Sequence, residues 1–138
     1  SSEEILKLIN LSENHGISEL IDNCLAKNKK KIINILNENN FNNEDCIIIL
    51  RTFLIKAKKI LALSKELEKN NDLNQTIASA KPPIFWKDKE IVKKQLNKWT
   101  TQKIKNLIYS LNNTELQIKK NFNNSILILT NFILEQGS

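Results

Sequence analysis

The sequence predicts an all-α fold, a bundle of about six or seven antiparallel helices. Three observations lead there. Apolar residues recur at spacings of three and four along nearly every segment, the period of an amphipathic helix. No segment alternates with the period of two expected of a half-buried strand. Two glycines and two prolines in 138 residues leave few turn-makers for the tight connections of an all-β chain. That length, with 41 % hydrophobic and 26 % charged residues, suffices for one domain with a real core.

Taken in order, Ser2 with Glu3 and Glu4 starts a short helix carrying Ile5, Leu8 and Ile9 on one face. The stretch "LSENHGIS" at 11–18 is expected to break it at Gly16, and Ser18 to cap a second helix bearing Leu20, Ile21, Cys24 and Leu25. Asn28 marks a turn, after which Ile32, Ile33, Ile35 and Leu36 form a third helix. "NENNFNNED" reads as a loop ending at the caps Asn43 or Glu44–Asp45. A long helix follows from 45 to about 69, with Leu50, Phe53, Leu54, Ala57, Ile60, Leu61, Ser64 and Leu67 in one stripe. The irregular stretch after it has room for one turn around Leu73 to Ala78, and Pro82 and Pro83 stop anything helical before them.

Asp88 then caps a helix with Ile91, Val92, Gln95, Leu96 and Trp99 inward and Lys89, Lys93, Lys94 and Lys98 outward. Thr100 or Thr101 caps the next, whose stripe is Ile104, Leu107, Ile108, Leu111, Glu115, Ile118 and Phe122. Asn123–Asn124 interrupts, and Ser125 opens a last helix with Ile126, Leu127, Leu129, Phe132 and Ile133.

Several function classes lack their residues. The single His15 has no clustered partner and carries no argument for a base or a metal ligand. Neither G-x-x-x-x-G-K-[ST] nor G-x-G-x-x-G occurs, so no phosphate cradle is predicted, and no carboxylates are spaced for acid–base or metal work. No catalysis, metal or cofactor is expected of the chain. No run approaches the roughly 20 apolar residues of a membrane span. Cys24 and Cys46 lack metal-type spacing and read as buried apolar residues in a reducing cytoplasm. The absence of methionine suggests an excised domain.

Net charge is +6, unevenly placed. Residues 1–45 carry five lysines against eight carboxylates, a net −3, while residues 46–138 carry sixteen Lys/Arg against seven, a net +9. A polyanion meeting the later part of the chain is one reading. A solvated lysine face is the other, since Asn, Ile and Lys, the residues of AT-rich codons, are all abundant.

One window departs from the generic pattern. "KPPIFWKDKEIVKKQLNKW" holds both prolines and both tryptophans of the chain. With its Pro82, Pro83, Ile84, Phe85, Trp86, Lys87, Gln95, Leu96 and Trp99 it resembles the C-terminal domain of the delta subunit of bacterial DNA polymerase III, part of the sliding-clamp loader. "IKNLIYSLNNTELQIKK" is similar to the helix that follows in that family, through Glu115 and Lys119 or Lys120. "IIILRTFLIKAKKILALSKEL" and "ISELIDNCLAKNKKKIINILNENN" look like its long helix and its opening helix pair. The likeness places residues 1–11 at the end of a preceding lid-like domain and residues 12–138 in the collar domain. Where many delta proteins carry two basic residues after the aromatics, this chain has Lys87-Asp88-Lys89.

The resemblance implies a non-catalytic scaffold in DNA replication, an accessory part of a DNA polymerase holoenzyme. Its partners are then the other loader subunits, delta prime and gamma/tau, and primer–template DNA. The sliding clamp is reached only through an N-terminal module outside this sequence. In the family the chain resembles, an aromatic at the position of Phe122 faces the primer–template junction, and Phe85, Trp86, Lys87, Lys119, Lys120 and Phe122 are the candidate DNA-binding residues. From the residues alone, Phe85 and Trp86 either plug the core or leave one ring outward to stack on a base, worth about 1–3 kcal/mol. Phe122 is either a stacking platform among cations or an apolar helix-end contact. Trp99 falls on the apolar stripe and is expected in the core. Two other functions compete: a DNA-binding regulator that uses the basic helix, and a purely structural helical adaptor. The regulator is disfavoured by lysine where base readout prefers Arg, Asn and Gln.

Overall fold

The apolar stripes assemble into seven α-helices, described by a computed structural model for residues 2–138, with side chains described at 2–5 and 14–138. The helices are α1 (Ser2–Leu25), α2 (Lys29–Glu38), α3 (Asp45–Asn70), α4 (Leu73–Ala78), α5 (Lys89–Lys98), α6 (Thr101–Lys120) and α7 (Ser125–Gln136). Short 3₁₀ turns at Trp86–Asp88 and Phe122–Asn124 precede α5 and α7, and no strand occurs among the described residues.

The most extensive pairing joins α3 to α6. Arg51, near the start of α3, lies 3.5 Å from Glu115, near the end of α6, so the two run antiparallel. Their buried faces meet those of α1 and α7 in one core around Phe53, Ile49, Leu20, Ile104, Ile118 and Ile133. Phe53 and Phe132 meet edge to face at 6.1 Å, a geometry worth about 0.5–1.5 kcal/mol beyond area burial.

Short polar side chains fix where the helices begin. Asn28 accepts the Lys31 N–H, Asp72 the Gln75 N–H and Thr100 the Lys103 N–H, each an N-cap bond worth about 1 kcal/mol. Asn42 and Asp45 exchange reciprocal bonds at the start of α3. Asn43 accepts from the Ile126 N–H, tying the first turn of α7 to the loop before α3.

The structure departs from the sequence expectations at several places. The expected break at 11–18 is absent, and α1 runs through it. Gly16 is buried, and a Cβ there would come 2.6 Å from Asn39 Oδ1, so the glycine allows the end of α2 to approach rather than stopping a helix. Ser18 therefore caps nothing; its hydroxyl accepts from Lys56 Nζ, which also pairs with Asp22 at 2.7 Å. Asp88 makes no cap bond, because the 3₁₀ turn already leads into α5. Helix α6 stops at Lys120, before the Asn123–Asn124 pair. Ile33 and Leu127, counted among the apolar residues of their helices, are exposed, and so is Phe122, the end of the α6 stripe, read either as a stacking platform or as an apolar helix-end contact. Leu8 and Ile9 lie outside the described side chains.

Candidate functional site

The proline–tryptophan window divides at the start of α5. Its second half buries Gln95, Leu96 and Trp99 and leaves Glu90, Lys94 and Lys98 exposed. Helix α1 ends in a Schellman turn, with Asn28 N–H on the Asn23 carbonyl and Lys27 N–H on the Cys24 carbonyl. That pattern leaves the Leu25 carbonyl open. The Trp99 indole N–H donates to it at 2.7 Å, and one turn earlier the Gln95 amide donates to the Asp22 carbonyl at 2.9 Å. Gln95 on α5 and Trp99 at its C-cap thus bond two carbonyls three apart on α1, the Asp22 carbonyl also keeping its helical bond from the Ala26 N–H, and Leu96 is buried beside them. An indole buried with its N–H satisfied supplies both apolar area and a directional lock.

Lys27 completes the joint. It holds the left-handed position of the turn (φ 55°), which glycine usually takes. Its ammonium lies 4.4 Å from the Trp99 ring centroid and donates to the Gln136 carbonyl at the end of α7. A cation at a helix C-terminus and over an indole face is favourable on both counts. One lysine thereby links α1, α5 and α7.

The first half of the window faces outward. Phe85 is 57 % and Trp86 68 % exposed, so neither ring plugs the core. The half-buried Ile84 packs against the core instead, while Pro82 and Pro83 are exposed. The Phe85 and Trp86 rings stand 5.9 Å apart, and Lys87 Nζ lies 5.5 Å from the Trp86 ring centroid. A cation beside an exposed aromatic pair offers a charge and a π-face to the same ligand.

Phe122 forms a second outward aromatic site. It is 44 % exposed, with Lys119 and Lys120 exposed in the preceding turn. Lys119 pairs with Glu115 at 3.3 Å, and Glu115 also faces Arg51, while Lys120 has no ion pair among the described residues. The two aromatic sites do not converge. Phe122 lies before the first turn of α7, and Lys27, beside Lys87 in one groove, touches the last. Twelve residues of helix, about 18 Å, separate those ends.

No group of three or more metal-type ligands occurs among the described residues. His15 meets Glu19 at 3.3 Å on the α1 surface. The Cys24 thiol is pushed up to about 12 by burial, with a smaller opposing pull from Lys27. Burial, then Asp45 and Glu44, pushes Cys46 up to about 11. Both thiols are protonated and inert as nucleophiles at neutral pH. A depression between α6 and α7 is lined by amides and hydroxyls such as Asn113, Thr114, Gln117 and Asn131. No helix among the described residues is long and apolar enough to cross a membrane.

No family model matches the chain, and neither the curated proteins nor the solved structures yield a match.

Sequence reasoning missed Lys27 and the carbonyl partners of Gln95 and Trp99. A helix end at Asn28 was readable, but not which carbonyls its turn would leave open. It also missed the convergence of the Lys27–Lys31 segment on α5, although Lys87, Lys94 and Lys98 already fall on one helical face by spacing.

Proposed function

We propose that the chain is the collar domain of a clamp-loader delta subunit, cytoplasmic and non-catalytic, holding its subunit beside delta prime and gamma/tau while primer–template DNA enters. One observation carries this: the window that resembles the family divides into a buried joint and an exposed aromatic–cationic turn. A structural adaptor needs only the first. A DNA-facing collar needs both, because a stacking ring must be outward and its support rigid. The basic residues are lysines, which meet phosphates as point charges and read no sequence.

The test is assembly. The chain, joined to its N-terminal modules, should co-purify with delta prime and gamma/tau and support primer–template binding. Phe122→Ala should weaken that binding by up to about 1–3 kcal/mol, one lost base stack, and leave the melting curve in place. Failure to co-purify would sink the collar reading. Sequence-specific duplex binding by the chain alone would favour the regulator.

A further inference from the structure

The α1–α2 turn and one face of α5 enclose a groove of about 480 Å³. Six of its lining residues are lysines (Lys27, Lys29, Lys31, Lys87, Lys94 and Lys98), and Glu90 is the one carboxylate among the lining residues. Lys27 is committed to Trp99 and the end of α7. Among the described residues, none of the other five has a carboxylate within ion-pair distance, and Glu90 itself pairs with Lys93 at 3.4 Å.

Codon bias accounts for the number of lysines but not for their convergence. The fold gains nothing from the arrangement. Lys29 and Lys31 stand in the first turn of α2, where the macrodipole disfavours cations, and that turn contains no carboxylate. A concave surface lined by one sign of charge focuses its field and concentrates counter-ions.

We propose that this groove binds the sugar–phosphate backbone of a single nucleic-acid strand, at a site separate from Phe122. The cations are spread over two walls, Lys29 and Lys31 on α2 and Lys87, Lys94 and Lys98 across from them, rather than gathered at a point, which suits a polymer better than one phosphate. The lining is concave, with only Ala26 and Ile91 apolar, which suits a membrane surface poorly. The exposed aromatic pair at its edge favours a single strand, whose unpaired bases can stack, over a duplex. The exposed Trp86 beside Lys87 offers the strand's bases a stacking face. The collar reading supplies only the class of ligand.

Fluorescence anisotropy of a labelled oligothymidylate, titrated with the chain across a salt series, tests this. Each single-strand phosphate contact contributes about 0.7 to the log–log salt slope. Lys94→Gln with Lys98→Gln should flatten the slope by about 1.4. Lys58→Gln with Lys59→Gln removes equal charge from exposed residues outside the groove and should leave the slope unchanged. Glu90→Gln should tighten binding. All three sets change exposed side chains, and circular dichroism melts should coincide with the parent's. Equal loss by both lysine pairs would mean diffuse charge attraction and overturn the proposal. So would an undetectable parent complex, or displacement of the oligonucleotide by phosphatidylserine vesicles at matched phosphate. Loader assembly is a separate readout, so failure there and failure here are distinguishable.

Discussion

Trp86 and Trp99 sit in the same sequence window, and each has a lysine ammonium over its ring. Their environments are opposite. Trp99 is 7 % exposed, with its N–H on the Leu25 carbonyl and Lys27 above it at 4.4 Å. Trp86 is 68 % exposed, beside Phe85, with Lys87 at 5.5 Å. The difference lies in what each indole N–H meets. Trp99, at the C-cap of α5, lies over a helix end with an open carbonyl, while Trp86 lies in the 3₁₀ turn before α5, with no partner for its N–H among the described residues. Burial of a tryptophan is thus decided by the partner available to its polar atom as much as by its apolar area.

Truncation should break the comparison most plainly. Trp99→Ala empties a core site and reopens the Leu25 carbonyl, and should cost about 3–5 kcal/mol in a urea or thermal melt. It should also expose Cys24, one residue from the lost bond, to alkylation under native conditions. Trp86→Ala should change stability by no more than about 0.5 kcal/mol, as surface substitutions do, and leave Cys24 protected. Equal destabilisation by the two would mean that the 3₁₀ turn is part of the core.

A smaller effect separates the polar groups of the two halves. Gln95→Ala removes the amide from the Asp22 carbonyl, which keeps its helical bond from Ala26 N–H. No acceptor is orphaned, so the expected loss is about 1–2 kcal/mol, one buried hydrogen bond with some packing. Lys87→Ala, on the exposed half, should be neutral within about 0.5 kcal/mol, because an exposed cation–π contact contributes little. Denaturant midpoints of the two variants decide the point. A neutral Gln95→Ala would show that Trp99 alone holds α5 to α1.

Periodicity made the helices legible, because one apolar stripe on α3 or α6 admits only one buried face. The turn at Asn28 and a cap at Thr100 or Thr101 followed from local chemistry, and the structure makes Asn28 and Thr100 the caps. What failed depended on residues distant in the chain. Gly16 reads as a breaker in isolation and becomes a close-packing position only once Asn39 stands against it. Phe122 continues a helical stripe on paper, but α6 ends at Lys120 and turns the ring outward. The inward pair Gln95 and Trp99 could be assigned to a face, yet the carbonyls they close belong to a helix about seventy residues earlier. The lysine groove was hidden for the same reason, since its two walls come from α5 and the α1–α2 turn.

The smallest expected effect is a pH dependence at the buried end. Burial pushes the Cys24 thiol from 9.0 to about 12, with Lys27 pulling it slightly back. The folded value exceeds the unfolded one, so the unfolded chain loses its proton first as pH rises. Stability from the neutral thiol is fully present below pH 9 and declines between 9 and about 12. Cys46, pushed up to about 11, contributes in the same direction. The limiting slope is about 1.4 kcal/mol per pH unit for each thiol, and partial titration near pH 9 brings it to about 1. Urea midpoints between about pH 8.5 and 10, compared between the parent and Cys24→Ala, isolate the contribution of that thiol. Cys24→Ala should be less stable at pH 8 yet decline less steeply, because one of the two titrating groups is gone. Trp86→Ala should follow the parent's slope. Parallel slopes for the parent and Cys24→Ala would show that Cys24 loses its proton equally easily folded and unfolded, and that the joint beneath Trp99 is open to water.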